Sequence, residues 1–117
     1  MFPSREQMKI ICIFVRRMKN IVSLKTLKEH WEKPGRKDSE QALKAWHREA
    51  NFFNWKNPND IKSLYKSASI IGDNRVVFNI CGNKYRLVVK INYVTSWVYV
   101  RFVGTHEEYD QIDVTTI

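Results

Sequence analysis

Apolar residues along the chain recur first at helical spacing and later at every second position, which predicts helices followed by strands. Residues 20–23 are predicted to close a short strand. Leu24, Leu27 and Trp31 then form one apolar stripe of a first helix, which is predicted to end before Pro34-Gly35.

A second helix is predicted to begin at Asp38, because Gln41 lies three residues later and completes a capping box. The apolar face of this helix consists of Leu43, Trp46, Ala50 and Phe53. The polar cluster at residues 57–60 predicts a turn, and Asp60 is placed to cap a short helix that runs to Tyr65.

Alternation with a period of two begins at Arg75 and predicts three strands. The strands span residues 75–80, 84–91 and 97–103. Gly82-Asn83 is a typical two-residue hairpin turn between the first two strands. In the third strand, Val98, Val100 and Phe102 are predicted to share the apolar face. The fold class is therefore α+β, with the helices packed on one face of a small antiparallel sheet.

The hairpin turn also fixes the register of the first two strands. It places Asn79 opposite Arg86 and Arg75 opposite Lys90, so that all apolar partners share one face. A slip of one residue would destroy this match. The opposite face, called the basic face below, carries Arg75, Asn79, Lys84, Arg86, Lys90 and Arg101.

The net charge of +8 makes polyanions, nucleic acid above all, the expected ligands of the basic face. The chain has 117 residues, and its hydrophobic fraction of 44% suffices for the core of one domain. A solvated basic surface without a ligand is the alternative. The two cysteines and three histidines have no metal-site spacing, so no metal and no cofactor are predicted. The sparse cysteines also favour a cytoplasmic protein.

Residues 1–19 are predicted to be an N-terminal extension, and residues 20–117 the folded domain. The apolar run at residues 10–15 is too short to span a bilayer. Arg16-Arg17 follows where a signal peptide would carry small residues. No association with a membrane is therefore predicted.

The segment after the third strand is the most informative for chemistry. Thr105 and Glu108 form a capping box, which places His106 in the first turn of a short helix and Tyr109 one turn later on the same side. Asp110, four residues after His106, is predicted to reach the imidazole and orient it. His106 is therefore expected at the edge of the basic face.

Cleavage of RNA without a metal needs a base for the 2′-hydroxyl, an acid for the leaving 5′-oxygen and cations for the charge on the phosphate. The predicted catalytic residues are Lys84, Arg86, His106 and Tyr109. The predicted RNA-binding residues are Arg75, Asn79, Lys90, Arg101 and Tyr99. Tyr99 and Trp97 are suited to stack on an unpaired base. Taken singly, each has a structural alternative, such as a capping role for His106 or a core position for Tyr109.

Three runs of sequence resemble the HigB family of bacterial type II toxins, a branch of the RelE-like mRNA interferases. They are N-R-V-V-F-N-I at residues 74–80, G-N-K-Y-R-L-V at residues 82–88, and R-F-V-G-T-H at residues 101–106 followed by Tyr109-Asp110. With the helical half, the resemblance covers roughly residues 20–117.

The resemblance implies a compact RelE-like fold and endonucleolytic cleavage of mRNA on the ribosome. It implies a HigA-like helix-turn-helix antitoxin as partner, so that operator DNA is contacted only through the antitoxin. Arg86 matches the sheet arginine of the family, and His106 and Tyr109 match its C-terminal catalytic positions. Lys84 and Arg101 match less closely.

Two other functions stay open from the residues themselves. A non-catalytic RNA- or ribosome-binding protein could inhibit translation by occupancy alone. A DNA-binding regulator is less favoured, because the basic residues lie on strands and not along one helix.

Overall fold

The computed structural model describes residues 20–22 and 24–117, in which one short strand precedes three helices, and four strands then precede a last short helix. The helices are α1 (Leu24–Trp31), α2 (Ser39–Phe52), α3 (Pro58–Leu64) and α4 (His106–Tyr109). The strands are β1 (Asn20–Val22), β2 (Ser69–Ile71), β3 (Arg75–Ile80), β4 (Tyr85–Asn92) and β5 (Trp97–Thr105). The predicted α+β class is confirmed. The predicted N-terminal extension lies outside the described residues.

The strands form one sheet in the order β1-β5-β4-β3-β2. Strands β2 to β5 pair antiparallel, whereas β1 adds to the edge of β5 in the parallel direction. Strand β2 was not predicted, because three residues are too few to display an alternation.

The predicted register of the central hairpin is confirmed. Asn79 pairs with Arg86 and Arg75 pairs with Lys90. Ile80 pairs with Tyr85, and the main-chain oxygen of Cys81 accepts the N–H of Lys84 at 3.2 Å, so Gly82 and Asn83 are the central residues of the turn, as predicted.

A β-bulge interrupts the pairing of β4 with β5. Val89 pairs with Val100, but its neighbour Val88 pairs with Phe102, so Arg101 is the extra residue. Phe102 therefore lies on the basic face, and the prediction that it shares the apolar face of Val100 is wrong. Val103, the next residue of β5, packs against the core in place of Phe102. Alternation alone does not reveal such an inserted residue.

The core lies between the helices and the apolar face of the sheet. From α1, Leu27 and Trp31 are buried, and from α2, the predicted apolar stripe is buried or half-buried. Phe78 is at the centre, with the rings of Trp46 and Trp55 at 5.6 and 6.0 Å between centroids. Burial of such large aromatic rings is the main stabilising contribution to a domain of this size.

Two predicted helix starts are corrected by the structure. Asp38 precedes α2, but its side chain makes no capping hydrogen bond, because the carboxylate binds Lys84 and Tyr85. Helix α3 is capped by Asn57, whose side chain accepts the N–H of Asp60 at 3.1 Å. The carboxylate of Asp60 instead accepts the main-chain N–H of Lys56 at 2.9 Å.

The close packing around Gly104 gives a test of the fold. A Cβ atom at Gly104 would lie 2.7 Å from Glu108 Oε1 and 2.8 Å from Phe102 Cζ. Gly104→Ala is therefore expected to destabilise the protein by about 1 to 3 kcal/mol, as overpacking does.

The measurement is urea unfolding, with Gly72→Ala as the matched control. A Cβ at Gly72 would meet nothing within 4 Å, so the control should unfold near the wild-type midpoint. Equal midpoints for the two variants would contradict the described packing of Phe102 and Glu108.

Candidate active site

The start of β4 and the end of β5 lie side by side, and this adjacency builds the candidate site. Arg86 pairs with Gly104 across the two strands. The main-chain oxygen of Lys84 accepts the N–H of His106 at 3.2 Å, so α4 begins directly beside the hairpin turn. The structure therefore brings Lys84, Arg86 and His106, which lie up to 22 residues apart in sequence, to one corner of the sheet.

The predicted capping box at the start of α4 is confirmed. Thr105 Oγ1 accepts the N–H of Glu108 at 3.1 Å, and Glu108 Oε1 accepts the N–H of Thr105 at 2.9 Å. The same carboxylate oxygen lies 2.9 Å from Arg36 Nη1. Arg36 and the Thr105 N–H together lower the pKa of Glu108 to about 2. Glu108 is therefore ionised at neutral pH and serves structure rather than proton transfer.

His106 presents an exposed imidazole at this corner. Its Nε2 lies 3.0 Å from the carboxylate of Glu107, a neighbour that is more exposed than His106 itself. Glu107, and not Asp110 as predicted, contacts the imidazole; Asp110 is the C-cap of α4 and donates its main-chain N–H to the oxygen of His106 at 3.0 Å. The imidazole is thus open to a ligand arriving from the basic face.

Tyr109 is half-buried, with its ring 6.4 Å from the ring of Phe102. The β-bulge at Arg101 puts Phe102 on this side of the sheet. Phe102, which the sequence alternation assigns to the core, therefore lies beside the ring of Tyr109 instead.

Lys84 is held by a carboxylate from the loop between α1 and α2. Its Nζ lies 2.5 Å from Asp38 Oδ2, while Asp38 Oδ1 accepts the hydroxyl of Tyr85 at 2.7 Å. The hydrogen bond with Asp38 raises the pKa of Lys84 above its usual value, and the same contact lowers that of Asp38. Lys84 is consequently a cation at neutral pH and is poorly suited to act as a general base.

Arg86 keeps its guanidinium available. Its Nη1 donates to the main-chain oxygen of Asn83 at 2.9 Å, and no carboxylate of the described residues pairs with it. Asn79, opposite Arg86, donates to the main-chain oxygen of Ser67 at 3.4 Å. The side chain of Arg86 is half-buried, and its pairing with Asn79 places it on the basic face.

The other end of the basic face is closed. Arg75 is only 7% exposed, and it donates to the main-chain oxygen of Ile117 at 2.9 and 3.0 Å and to Asp73 at 2.7 Å. Lys90 lies 3.6 Å from the same carboxylate of Asp73. Arg75 was predicted to contact RNA, but its guanidinium is already occupied within the protein.

An aromatic pair lies farther along the same face. The rings of Trp97 and Tyr99 stack at 5.9 Å between centroids with an interplanar angle of 20°, and Trp97 is 36% exposed. Arg101 is exposed at the bulge. The predicted stacking and phosphate-binding residues of β5 are thus accessible, unlike Arg75.

Three charged residues that support the site were not predicted as part of it: Asp38, which pairs with Lys84, and Arg36 and Glu108, which pair with each other beside the first turn of α4. Glu108 was identified only as a capping residue. Asp38 lies 46 residues before Lys84 and Arg36 lies 72 residues before Glu108, so no local pattern could have identified them. Their only signal in the sequence was their charge.

Two classes of feature are absent from residues 20–22 and 24–117. No three or more histidine, cysteine, aspartate or glutamate side chains in this part converge as metal ligands would. No helix in this part combines the length and apolar composition that crossing a bilayer requires.

Known proteins similar to this chain point to one class. The model of the HigB_toxin family, described as the RelE-like toxic component of a toxin-antitoxin system, matches residues 39–112. The chain is 34% identical over 58 residues to the mRNA interferase toxin HigB of Escherichia coli K12. The mRNA interferases HigB of Escherichia coli O157:H7 and Shigella flexneri match over the same length with the same identity. Each alignment covers 48% of this chain and 56% of the relative, about half of its length.

The family match spans more than half of the chain and includes the whole candidate site except Arg36 and Asp38. The chain therefore belongs to the HigB toxin family, the RelE-like toxic components of toxin-antitoxin systems.

The pKa of Glu108 generates a prediction about acid stability. Since its folded-state pKa is lowered from 4.5 to about 2, Glu108 contributes stability that is complete above pH 4.5 and is lost as the pH falls toward 2. Glu108→Gln removes this group and is expected to flatten the pH dependence of the unfolding free energy in that window.

Glu107→Gln is the matched control, with the same charge change in the same helical turn. Urea unfolding of the three proteins between pH 6 and pH 2.5, at steps of about half a unit, measures the slopes. A Glu108→Gln slope as steep as that of the wild type would show that the ion pair with Arg36 is absent in solution.

Proposed function

We propose that the protein is a ribosome-dependent mRNA interferase, an endoribonuclease that inhibits translation by cutting mRNA. The observation that carries the proposal is the junction of β4 with α4, where an exposed histidine and an arginine that no carboxylate of the described residues pairs with flank the same hydrogen bond. Membership of the HigB toxin family supports the same conclusion, since the similar proteins of Escherichia coli and Shigella flexneri are named mRNA interferases.

The cations of the corner stabilise the charge that develops on the scissile phosphate. Arg86, which pairs with no carboxylate among the described residues, presents its N–H donors in a planar fork that matches two phosphate oxygens. Lys84, kept protonated by Asp38, adds a fixed positive charge one residue from the turn. Arg101 extends the positive field along β5. Such preorganised charge is the largest single source of catalysis in phosphate chemistry.

His106 and Tyr109 handle the protons. The 2′-oxygen attacks the adjacent phosphorus as its proton passes to a base, the bond from phosphorus to the 5′-oxygen breaks, and an acid protonates that oxygen. The products are a 2′,3′-cyclic phosphate and a 5′-hydroxyl. Because the nucleophile is the 2′-oxygen of the RNA itself, the reaction does not require a metal to activate water. His106 serves as general acid or base, and Tyr109, supported by Phe102, positions the 2′-hydroxyl or shares in proton transfer.

The remaining basic face holds the substrate strand. Trp97 and Tyr99 offer a stacking surface for an unpaired base, and Asn79 lies beside Arg86. We assign the toxin domain to residues 20–117, the partner to a HigA-like helix-turn-helix antitoxin, and the site of action to cytoplasmic ribosomes. Arg75 is left out of this surface because Asp73 and Ile117 already engage its guanidinium, whereas Lys90, 3.6 Å from Asp73 and partly exposed, lies at its margin.

The test is expression of single variants in a bacterial host, with growth and newly formed mRNA 5′ ends both recorded. Arg86→Ala and His106→Ala are each expected to lose growth arrest and to lower cleavage at least about a hundredfold, as removal of an acid, a base or an oxyanion donor does. Lys25→Ala is the control, since it removes one charge from the exposed side of α1.

New mRNA cuts with the wild type and Lys25→Ala, and none with the two site variants, support the assignment. A fully toxic His106→Ala would contradict the catalytic role. Growth arrest by the wild type without any mRNA cut would replace the enzyme with an inhibitor that acts by occupying RNA or the ribosome.

A further inference from the structure

The loop between α1 and α2 contacts both sides of the candidate active site. At residues 32–38 this loop sends Arg36 to Glu108 on α4 and Asp38 to Lys84 at the hairpin turn. These contacts join the helical layer to the corner of the sheet where the two strands meet. The loop lies outside the region that the family model matches, which begins at residue 39.

The ion pair of Arg36 with Glu108 is less exposed to solvent than the ion pair of Asp38 with Lys84. The Arg36 side chain is 19% exposed, and its Nη1 lies 2.9 Å from Glu108 Oε1. Beneath it is His30, whose ring is fully buried against Tyr85 at 4.9 Å between centroids. A partly buried arginine beside one carboxylate has few alternative positions, so the ion pair fixes where Glu108 lies.

The position of Glu108 in turn fixes the first turn of α4. Its carboxylate oxygen accepts the N–H of Thr105 at 2.9 Å while it pairs with Arg36. A helix of four residues cannot be stable alone, so its orientation depends on contacts such as this. His106 is the first residue of that turn, and Tyr109 is its last.

We propose that Arg36 is a positioning residue for RNA cleavage, which acts through Glu108 to hold His106 and Tyr109 against the scissile phosphate. The inference rests on the proposed endonuclease function. Arg36 does not itself bind RNA, because its guanidinium is directed into the protein and paired. Its removal leaves substrate affinity intact and lets the catalytic helix depart from the productive geometry.

The experiment measures kcat and KM for cleavage of mRNA in defined ribosome complexes by purified protein. Arg36→Ala is expected to lower kcat about tenfold or more with KM changed less than about twofold, since misplacement of a catalytic group by a fraction of an ångström has such effects. Arg36→Lys, which keeps the charge, should recover part of the loss.

Glu108→Gln provides the second arm. It retains an oxygen for the Thr105 N–H but removes the charge that Arg36 pairs with, so kcat should fall as it does in Arg36→Ala. The double variant should then be no worse than either single variant, because both remove one interaction. Lys37→Ala is the matched control, since it breaks an exposed ion pair of the same loop with Glu40, at 2.8 Å.

A readout that is independent of activity accompanies the kinetics. The imidazole proton resonances of His106 should shift in Arg36→Ala and Glu108→Gln but not in Lys37→Ala, with the resonances of the core unchanged. Unshifted His106 resonances in Arg36→Ala would overturn the proposal. So would a raised KM with unchanged kcat, which would make Arg36 an RNA contact.

The failure of this proposal is distinct from failure of the proposed function. If the wild type cleaves, His106→Ala does not, and Arg36→Ala equals the wild type, Arg36 has no positioning role although the nuclease stands. If the wild type itself fails to cleave mRNA in these complexes, the nuclease and the role of Arg36 in it are both rejected.

Discussion

The register of β3, β4 and β5 is the constraint on which the rest of the structure depends. In a sheet with one face on the core, each residue is assigned to the core or to the surface by its pairing partner. The pairing of Asn79 with Arg86 and of Arg86 with Gly104 puts the arginine on the face away from the helices. The same pairing places the end of β5 beside the hairpin turn, where the main-chain oxygen of Lys84 accepts the N–H of His106, the first residue of α4.

Much of this arrangement could be predicted from the sequence because its causes are local. The hairpin follows from alternation on both sides of a turn, and the Thr105 capping box needs only four consecutive residues. The helices α1 and α2 were likewise predictable from their apolar stripes, although Asp38 does not cap α2.

Contacts between distant segments could not be predicted in the same way. Asp38 reaches Lys84 across 46 residues, and Arg75 reaches Ile117 across 42, so propensity and periodicity carry no trace of either contact. The bulge at Arg101 is equally invisible, because it inserts a residue without disturbing the alternation of residue types. The contact of Asp38 with Lys84, the contact of Arg75 with Ile117 and the bulge decide which basic side chains of the described residues are accessible to a ligand. They divide the basic face into an accessible corner around Arg86 and a closed end around Arg75.

The central claim is that the scissile phosphate binds at the accessible corner. The most direct measurement is a structure of the protein on a ribosome whose mRNA carries a 2′-O-methyl group at the cleaved nucleotide, which blocks the attack. We expect one phosphate in hydrogen-bonding contact with the guanidinium of Arg86, and the imidazole of His106 beside the 2′- or 5′-oxygen of the cleaved linkage. An mRNA that crosses the helical layer, or the closed end at Arg75, while Arg86 and His106 contact no nucleotide, would contradict it.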